Sequence, residues 1–117
     1  MITDLTGSVI EKIKYESVPI VKKALGDDLC DIILYGSCAR GDFNEDSDID
    51  IALLTKCGRI ESSRYGRILA QIATEFALKY FAIVNFVCFP KEEYDEKKEW
   101  YPYFKNIDQE GISLYGK

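Results

Sequence analysis

Two acids and a glycine-serine pair are the residues of this chain whose types and spacing can do chemistry. Asp48 and Asp50 lie in Ser47-Asp48-Ile49-Asp50-Ile51, where carboxylates alternate with β-branched residues. A strand has a side-chain period of two, so both acids share one face and both isoleucines the other. Two carboxylates side by side repel unless something positive lies between them, and hard divalent cations, Mg²⁺ above all, take oxygen ligands of this kind. Upstream, Gly36-Ser37 follows the apolar run Ile32-Ile33-Leu34-Tyr35. Its backbone N–H groups and hydroxyl suit a phosphate. One end of the stretch fits an anion and the other a cation. A metal-bound nucleoside triphosphate supplies both.

The pattern Gly36-Ser37, Ala39-Arg40-Gly41, then Ser47-Asp48-x-Asp50 resembles the nucleotidyltransferase superfamily that includes DNA polymerase beta. In size the chain is similar to its smallest branch, the minimal nucleotidyltransferases. Those occur as antitoxin partners of HEPN-domain ribonuclease toxins, and some of them adenylylate the toxin. The resemblance is carried by residues 31–51. It continues faintly through Phe104-Lys105-Asn106-Ile107 and Glu110-Gly111-Ile112-Ser113-Leu114-Tyr115. It implies Mg²⁺-dependent transfer of a nucleoside monophosphate, AMP from ATP, to a hydroxyl on a HEPN-type partner.

For such a transfer the expected roles follow. Asp48 and Asp50 are the metal ligands, able to bridge two Mg²⁺ ions about 3.5–4 Å apart that clamp the attacking and leaving oxygens. Gly36 lets the backbone approach the phosphates with no Cβ in the way. Ser37, with Ser47 beside the acids, can donate to phosphate oxygens. Arg40 either neutralises phosphate charge or holds its own turn through an internal salt bridge. Asp42, Glu45 and Asp46 read as loop acids. Members of the superfamily use a third carboxylate on the next core strand, within an apolar-Asp-apolar-apolar pattern. The matching stretch here is Ile83-Val84-Asn85-Phe86-Val87, with Asn85 in place of the acid. An amide can coordinate a cation through its oxygen, but it brings no charge and cannot act as a base. Asp31, Glu92 and Glu93 lie outside that strand and cannot replace it.

The elements that must position these residues are legible in the apolar periodicity. Residues 3–25 read as helical through Leu5, Val9, Ile10, Ile13, Val21, Ala24 and Leu25. Pro19 predicts a kink or break there, with Ser17 as the cap of a second helix. Residues 30–35 read as a strand buried on both faces, 37–41 as a short helical turn and 42–46 as a polar loop. A second strand follows over 47–54 and a connector over 58–63. Residues 65–80 carry Ile68, Leu69, Ile72, Ala73, Phe76, Ala77 and Tyr80 at helical steps. A third strand is expected over 81–89, stopped by Pro90, and a solvated helix over 91–98. Trp100, Tyr101, Tyr103 and Phe104 either close the core or face a partner. A short last strand is expected near 112–114. The order predicts one domain over residues 1–117, of α/β (α+β) class, with a small mixed sheet covered by helices. The superfamily resemblance implies the same arrangement.

Composition bounds the reading. The chain has 117 residues, 47% of them apolar and 30% charged, as in ordinary globular domains. A net charge of −5 argues against non-specific grip on nucleic acid or anionic membrane, though not against one nucleotide bound through a metal. No long apolar run and no basic-then-apolar leader is present, so a cytoplasmic protein is expected. Cys30, Cys38, Cys57 and Cys88 form no C-x-x-C pair and histidine is absent. Zinc sites, disulfide scaffolds and histidine-activated nucleophiles are therefore not expected. Two functional classes remain, a nucleotidyltransferase acting on a partner protein and a nucleotide-fold module that neutralises a partner without transfer. Asn85 favours the second, the Asp48/Asp50 pair the first. A small-molecule transferase is the weaker third option, because such enzymes usually carry an additional domain.

Overall fold

The computed structural model describes residues 5–115. The first helix, α1, spans Gly7–Leu25, and Thr6 caps it by accepting a hydrogen bond from the backbone N–H of Val9 at 3.2 Å. The expected break at Pro19 is absent, and Ser17 lies inside the helix, fully buried, instead of capping a second one. Proline removes a hydrogen bond to the carbonyl of Tyr15, but Tyr15 is exposed, so water can serve that oxygen. The stripe Ile10, Ile13, Ser17, Val21 and Leu25 is buried on both sides of Pro19 and holds the helix in one piece.

A 3₁₀ turn over Gly26–Asp28 leads into β1, Leu29–Tyr35, and then into the one-turn helix α2, Ser37–Arg40. Strand β2 covers Ile49–Thr55, so Ser47 and Asp48 precede it. The connector read over 58–63 contains a helical turn, α3, Arg59–Ser62, followed by a 3₁₀ turn and by α4, Gly66–Tyr80. Strand β3 is Val84–Pro90, starting later than expected and including its proline. The apolar residues at 81–83 belong to the turn. Phe81 adopts a left-handed conformation, φ 54°, that caps α4 through its N–H to the Ala77 carbonyl. Helices α5, Lys91–Lys97, and α6, Pro102–Glu110, and strand β4, Ile112–Tyr115, complete the fold.

The sheet order is β3-β2-β1-β4, with β1 antiparallel to both β2 and β4, and β2 parallel to β3. This is the small mixed sheet expected, and helices cover both of its faces. Ile32, Leu34, Ile49, Ile51 and Leu53 pack with α1 and α4 on one face. Ile33, Ala52 and Leu54 pack with Tyr94, Phe104 and Ile107 of α5 and α6 on the other. The expectation of a solvated helix over 91–98 is therefore corrected at Tyr94, which is buried. Of the four clustered aromatics only Phe104 closes the core, against Phe89 at 4.8 Å between ring centroids. Trp100, Tyr101 and Tyr103 are exposed. Among the described residues no helix is long and apolar enough to cross a membrane.

Candidate active site

Strand directions bring the site together. Because β2 runs antiparallel to β1, its start lies beside the end of β1, and Tyr35 stands opposite Asp50. Because β3 runs parallel to β2, its start lies there too, with Asn85 opposite Asp50. Tyr35, Asp50 and Asn85 thus form one row across three strands. Cross-strand neighbours in register point to the same face, which is the α5/α6 side. Ile49 and Ile51 point the other way and are fully buried. The alternation read from the sequence is the alternation observed.

Beyond Tyr35 the chain reverses at Gly36, with φ 76°. A Cβ added to Gly36 would lie 2.7 Å from Oδ2 of Asp50. Glycine is required twice over here, by the left-handed backbone and by the close approach. The Gly36 carbonyl accepts from the N–H groups of Ala39 and Arg40, both at 3.1 Å, which sets α2 immediately beside the acids. Ser37, half-buried, opens that turn.

Asn85 is exposed and its Nδ2 donates to Asp48 Oδ2 at 3.1 Å and to Asp50 Oδ1 at 3.3 Å. The amide hydrogens thereby sit between two carboxylates that would otherwise repel. Burial holds the Asp50 carboxyl above its ordinary range, and the Asp48 charge adds to this while the Asn85 bond opposes it. The cluster therefore offers two converging carboxylates and one neutral amide. Among the described residues no group of three histidine, cysteine or acidic side chains could hold a metal ion. Mg²⁺ asks less than this, because it is commonly held by one or two carboxylates together with substrate phosphates and water. The hard oxygen donors of Asp48 and Asp50 fit that demand.

Other expected residues are placed differently. Arg40 is turned to Asp42, with Nε to Oδ2 at 3.1 Å, and to Glu110, with Nη1 to Oε2 at 2.9 Å. Of the two readings for Arg40, the internal salt bridge is the one formed. Ser47 accepts from the Asn44 N–H at 2.9 Å and closes the loop before the acids. Cys38 is buried, its thiol is pushed up by burial and then by Asp50, and its Sγ lies 3.4 Å from the Asp48 carbonyl oxygen. It packs. The sequence reading missed Tyr35 and Tyr103, whose hydroxyls meet at 2.8 Å beside the Asp50 row. Burial, Tyr103 and the Asp50 charge push the Tyr35 phenol upward, so it stays neutral. Tyr35 could have been found from its place directly before Gly36. Tyr103 and Glu110, far along the chain, left no local signal.

The model of the nucleotidyltransferase domain family matches residues 16–111. A candidate protein adenylyltransferase of Methanocaldococcus jannaschii, MJ0604, is 32% identical over 105 residues, which is 90% of this chain and 97% of the relative. A second from the same organism, MJ0141, is 34% identical over 83 residues, 71% of this chain and 81% of its own. Among solved structures, that of a tri-AMPylated Shewanella oneidensis HEPN toxin in complex with its MNT antitoxin contains a similar chain. The TM-score is 0.54 at 17% identity, covering 92% of this chain and 72% of that one. A candidate nucleotidyltransferase from Sulfolobus solfataricus gives a TM-score of 0.52 at 18% identity, with 94% and 88% covered. At these identities the solved structures show a shared fold.

Proposed function

This chain belongs to the nucleotidyltransferase domain family, and from that premise we propose that it moves AMP from ATP to a hydroxyl on a partner protein, as the antitoxin of a HEPN-type toxin. The observation that carries the reading is the meeting of Gly36, Asp48, Asp50 and Asn85 at one end of the sheet. Two findings support the choice of substrate and partner. The relatives named above are candidate protein adenylyltransferases. The fold is shared with a chain in a complex between an AMPylated HEPN toxin and its antitoxin. The reading places the reaction in the cytoplasm, where ATP is supplied.

In this reading the acceptor oxygen attacks the α-phosphorus, a new P–O bond forms, and the bond to pyrophosphate breaks. Asp48 and Asp50 would hold Mg²⁺, with two ions expected when nucleotide is bound. When present the metal supplies Lewis-acid charge at phosphoryl oxygens. Gly36 keeps the space beside Asp50 free of a side chain, and Ser37 with its N–H faces the phosphates at the start of α2. Ser47 steadies the loop that delivers Asp48. Arg40, tied to Asp42 and Glu110, fixes α2 beside the acids. Asn85 keeps the two acids in register through its Nδ2. Being an amide, it takes no proton, so the acceptor proton leaves to water or to a phosphate oxygen of the nucleotide.

Asn85 also favours a second reading, in which nucleotide binds and the partner is masked without transfer. Incubation with α-labelled ATP, Mg²⁺ and the HEPN partner separates the two. Label on the partner, lost in Asp48→Asn and Asp50→Asn, is the result expected. A stable complex that never takes label would establish the masking role instead.

A further inference from the structure

A cavity of about 730 Å³ lies at the end of the sheet away from Gly36 and Asp50. Leu29 and Asp31 from the start of β1 line it, with Leu54 and Lys56 from the end of β2. Lys91 and Tyr94 of α5, Lys98 just after it and Asp108 of α6 form the opposite wall. Asp31 precedes Tyr35 by four residues, so about 13 Å of strand separates it from the row that carries Asp50. Pockets of this volume hold small molecules.

The charges around the cavity are only partly matched. Lys91 pairs with Asp95, and Lys98 lies 3.9 Å from Asp95 and 3.6 Å from Asp108. Lys22 and Lys56 also line the cavity, and among the described residues neither pairs with a carboxylate. Asp27 and Asp31 likewise form no ion pair there. Asp31 Oδ1 accepts from the Ile32 N–H at 2.8 Å and from Ser113 Oγ at 2.7 Å, which leaves Oδ2 unused.

Tyr94 is an independent sign of a missing partner. It is 3% exposed, and its hydroxyl has no hydrogen-bond partner, although buried hydroxyls are ordinarily paired. Burial, and then the charges of Asp108, Asp31 and Asp95, push the phenol upward, so it stays neutral. All three carboxylates line the cavity, and the hydroxyl lies among them. An ammonium group, with three N–H donors and no acceptor, suits a free carboxylate oxygen beside a neutral hydroxyl. A cation alone would leave Lys22 and Lys56 unanswered, and an anion alone would meet Asp27 and Asp31.

We propose that this cavity binds a linear zwitterion, its primary ammonium held by Asp31 and Tyr94 and its carboxylate by Lys56. Leu54 stands opposite Asp31, and Lys56 follows it by two positions, so the two charged side chains leave the strands about 7 Å apart. An α-amino acid carries its charges closer together than this. The ligand therefore has its ammonium at the far end of an aliphatic chain from its carboxylate, and Leu29, Ile33 and Leu54 give that chain an apolar floor. The site stands apart from the transfer reaction and does not depend on it.

The test uses the full chain and ε-aminocaproate, an extended zwitterion of that span, with caproate and hexylamine as its two halves. Calorimetric titration should show the zwitterion binding at least tenfold tighter than either half. Amide shifts should fall on residues 29–33, 54–56 and 91–98. In Asp31→Asn the zwitterion should bind no better than caproate, and in Lys56→Met no better than hexylamine. Tyr94→Phe keeps the ring and removes only the orphaned hydroxyl. It should melt no lower than the parent yet bind ε-aminocaproate several-fold more weakly, a split that a purely structural hydroxyl would not produce. Absence of ε-aminocaproate binding, affinity no better than that of the halves, or affinity indifferent to all three substitutions would overturn the proposal. So would shifts confined to the end of the sheet that carries Gly36 and Asp50.

Discussion

The Cβ that Gly36 lacks would stand 2.7 Å from Oδ2 of Asp50. The turn at Gly36 and the second acid are thus in contact, although the chain between them forms a helical turn and a loop. Gly36→Ala must either push the carboxylate aside or shift the backbone away from φ 76°. Strain of this kind costs about 1–3 kcal/mol. A displacement on the order of 1 Å at reacting groups costs about 100-fold in rate. Transfer should therefore fall about 100-fold in a chain that still unfolds cooperatively, as labelled-ATP assays beside thermal melts would show.

Asn85→Asp replaces the bridging amide with a third carboxylate against Asp48 and Asp50. Without metal the three acids repel, and the melting temperature should drop below that of the parent. With Mg²⁺ in excess the order should invert. Tenfold tighter binding is worth about 1.4 kcal/mol, which moves the melting point of a domain this size by roughly 6 °C. Transfer should rise with it. Identical Mg²⁺ titrations for variant and parent would mean that β3 does not supply the third position of the site.

Two carboxylates give opposite pH dependences. The hydrogen bond from Lys79 and then that from Tyr80 hold Glu16 below its ordinary 4.5. The tie between α1 and α4 therefore stabilises above that value and is lost as the pH falls through the lowered one. Glu16→Gln should lower the melting temperature at pH 7 and make no difference in strong acid. Asp31 lies the other way, since burial raises it above 3.8 despite bonds from Ser113 and the Ile32 N–H. Its charged form opposes the fold at neutral pH, and stability falls as pH rises through the raised value. Asp31→Asn, which can still accept both bonds, should raise the melting point at pH 7 and leave it unchanged well below pH 3.8.

Ser17 is fully buried in α1 and its hydroxyl has no hydrogen-bond partner. An orphaned buried hydroxyl costs about 1–3 kcal/mol, and alanine is the better helix former by a few tenths of a kcal/mol. Ser17→Ala should stabilise by about 1 kcal/mol in urea unfolding with an unchanged slope. A loss of stability would mean that the hydroxyl has a partner in solution.

Local pattern made the site legible where it is local. Period-two alternation fixes which way Asp48, Ile49, Asp50 and Ile51 point, and the glycine before Ser37 marks the reversal after β1. The same locality explains the errors. The apolar run from Phe81 onward does not distinguish a strand from the turn that enters it, so it predicts a strand three residues ahead of where β3 begins. Pro19 signals a break only while its surroundings are ignored, and burial on both sides outweighs it. The aromatics near Trp100 share a composition but not a fate, because one helix face admits Phe104 and leaves its neighbours in solvent.

What the sequence by itself determined is the chemistry available: two acids at alternate positions, a glycine turn before them, and an asparagine further along where the resemblance leads one to expect a third acid. Tertiary structure decided which groups meet. Asn85 reaches Asp48 across 37 positions and Arg40 reaches Glu110 across 70. Neither pairing leaves a trace in local periodicity. The reason is physical. Side-chain direction is set by backbone geometry over a few residues, whereas contact between distant residues depends on strand order and register, which the packing of both sheet faces selects together.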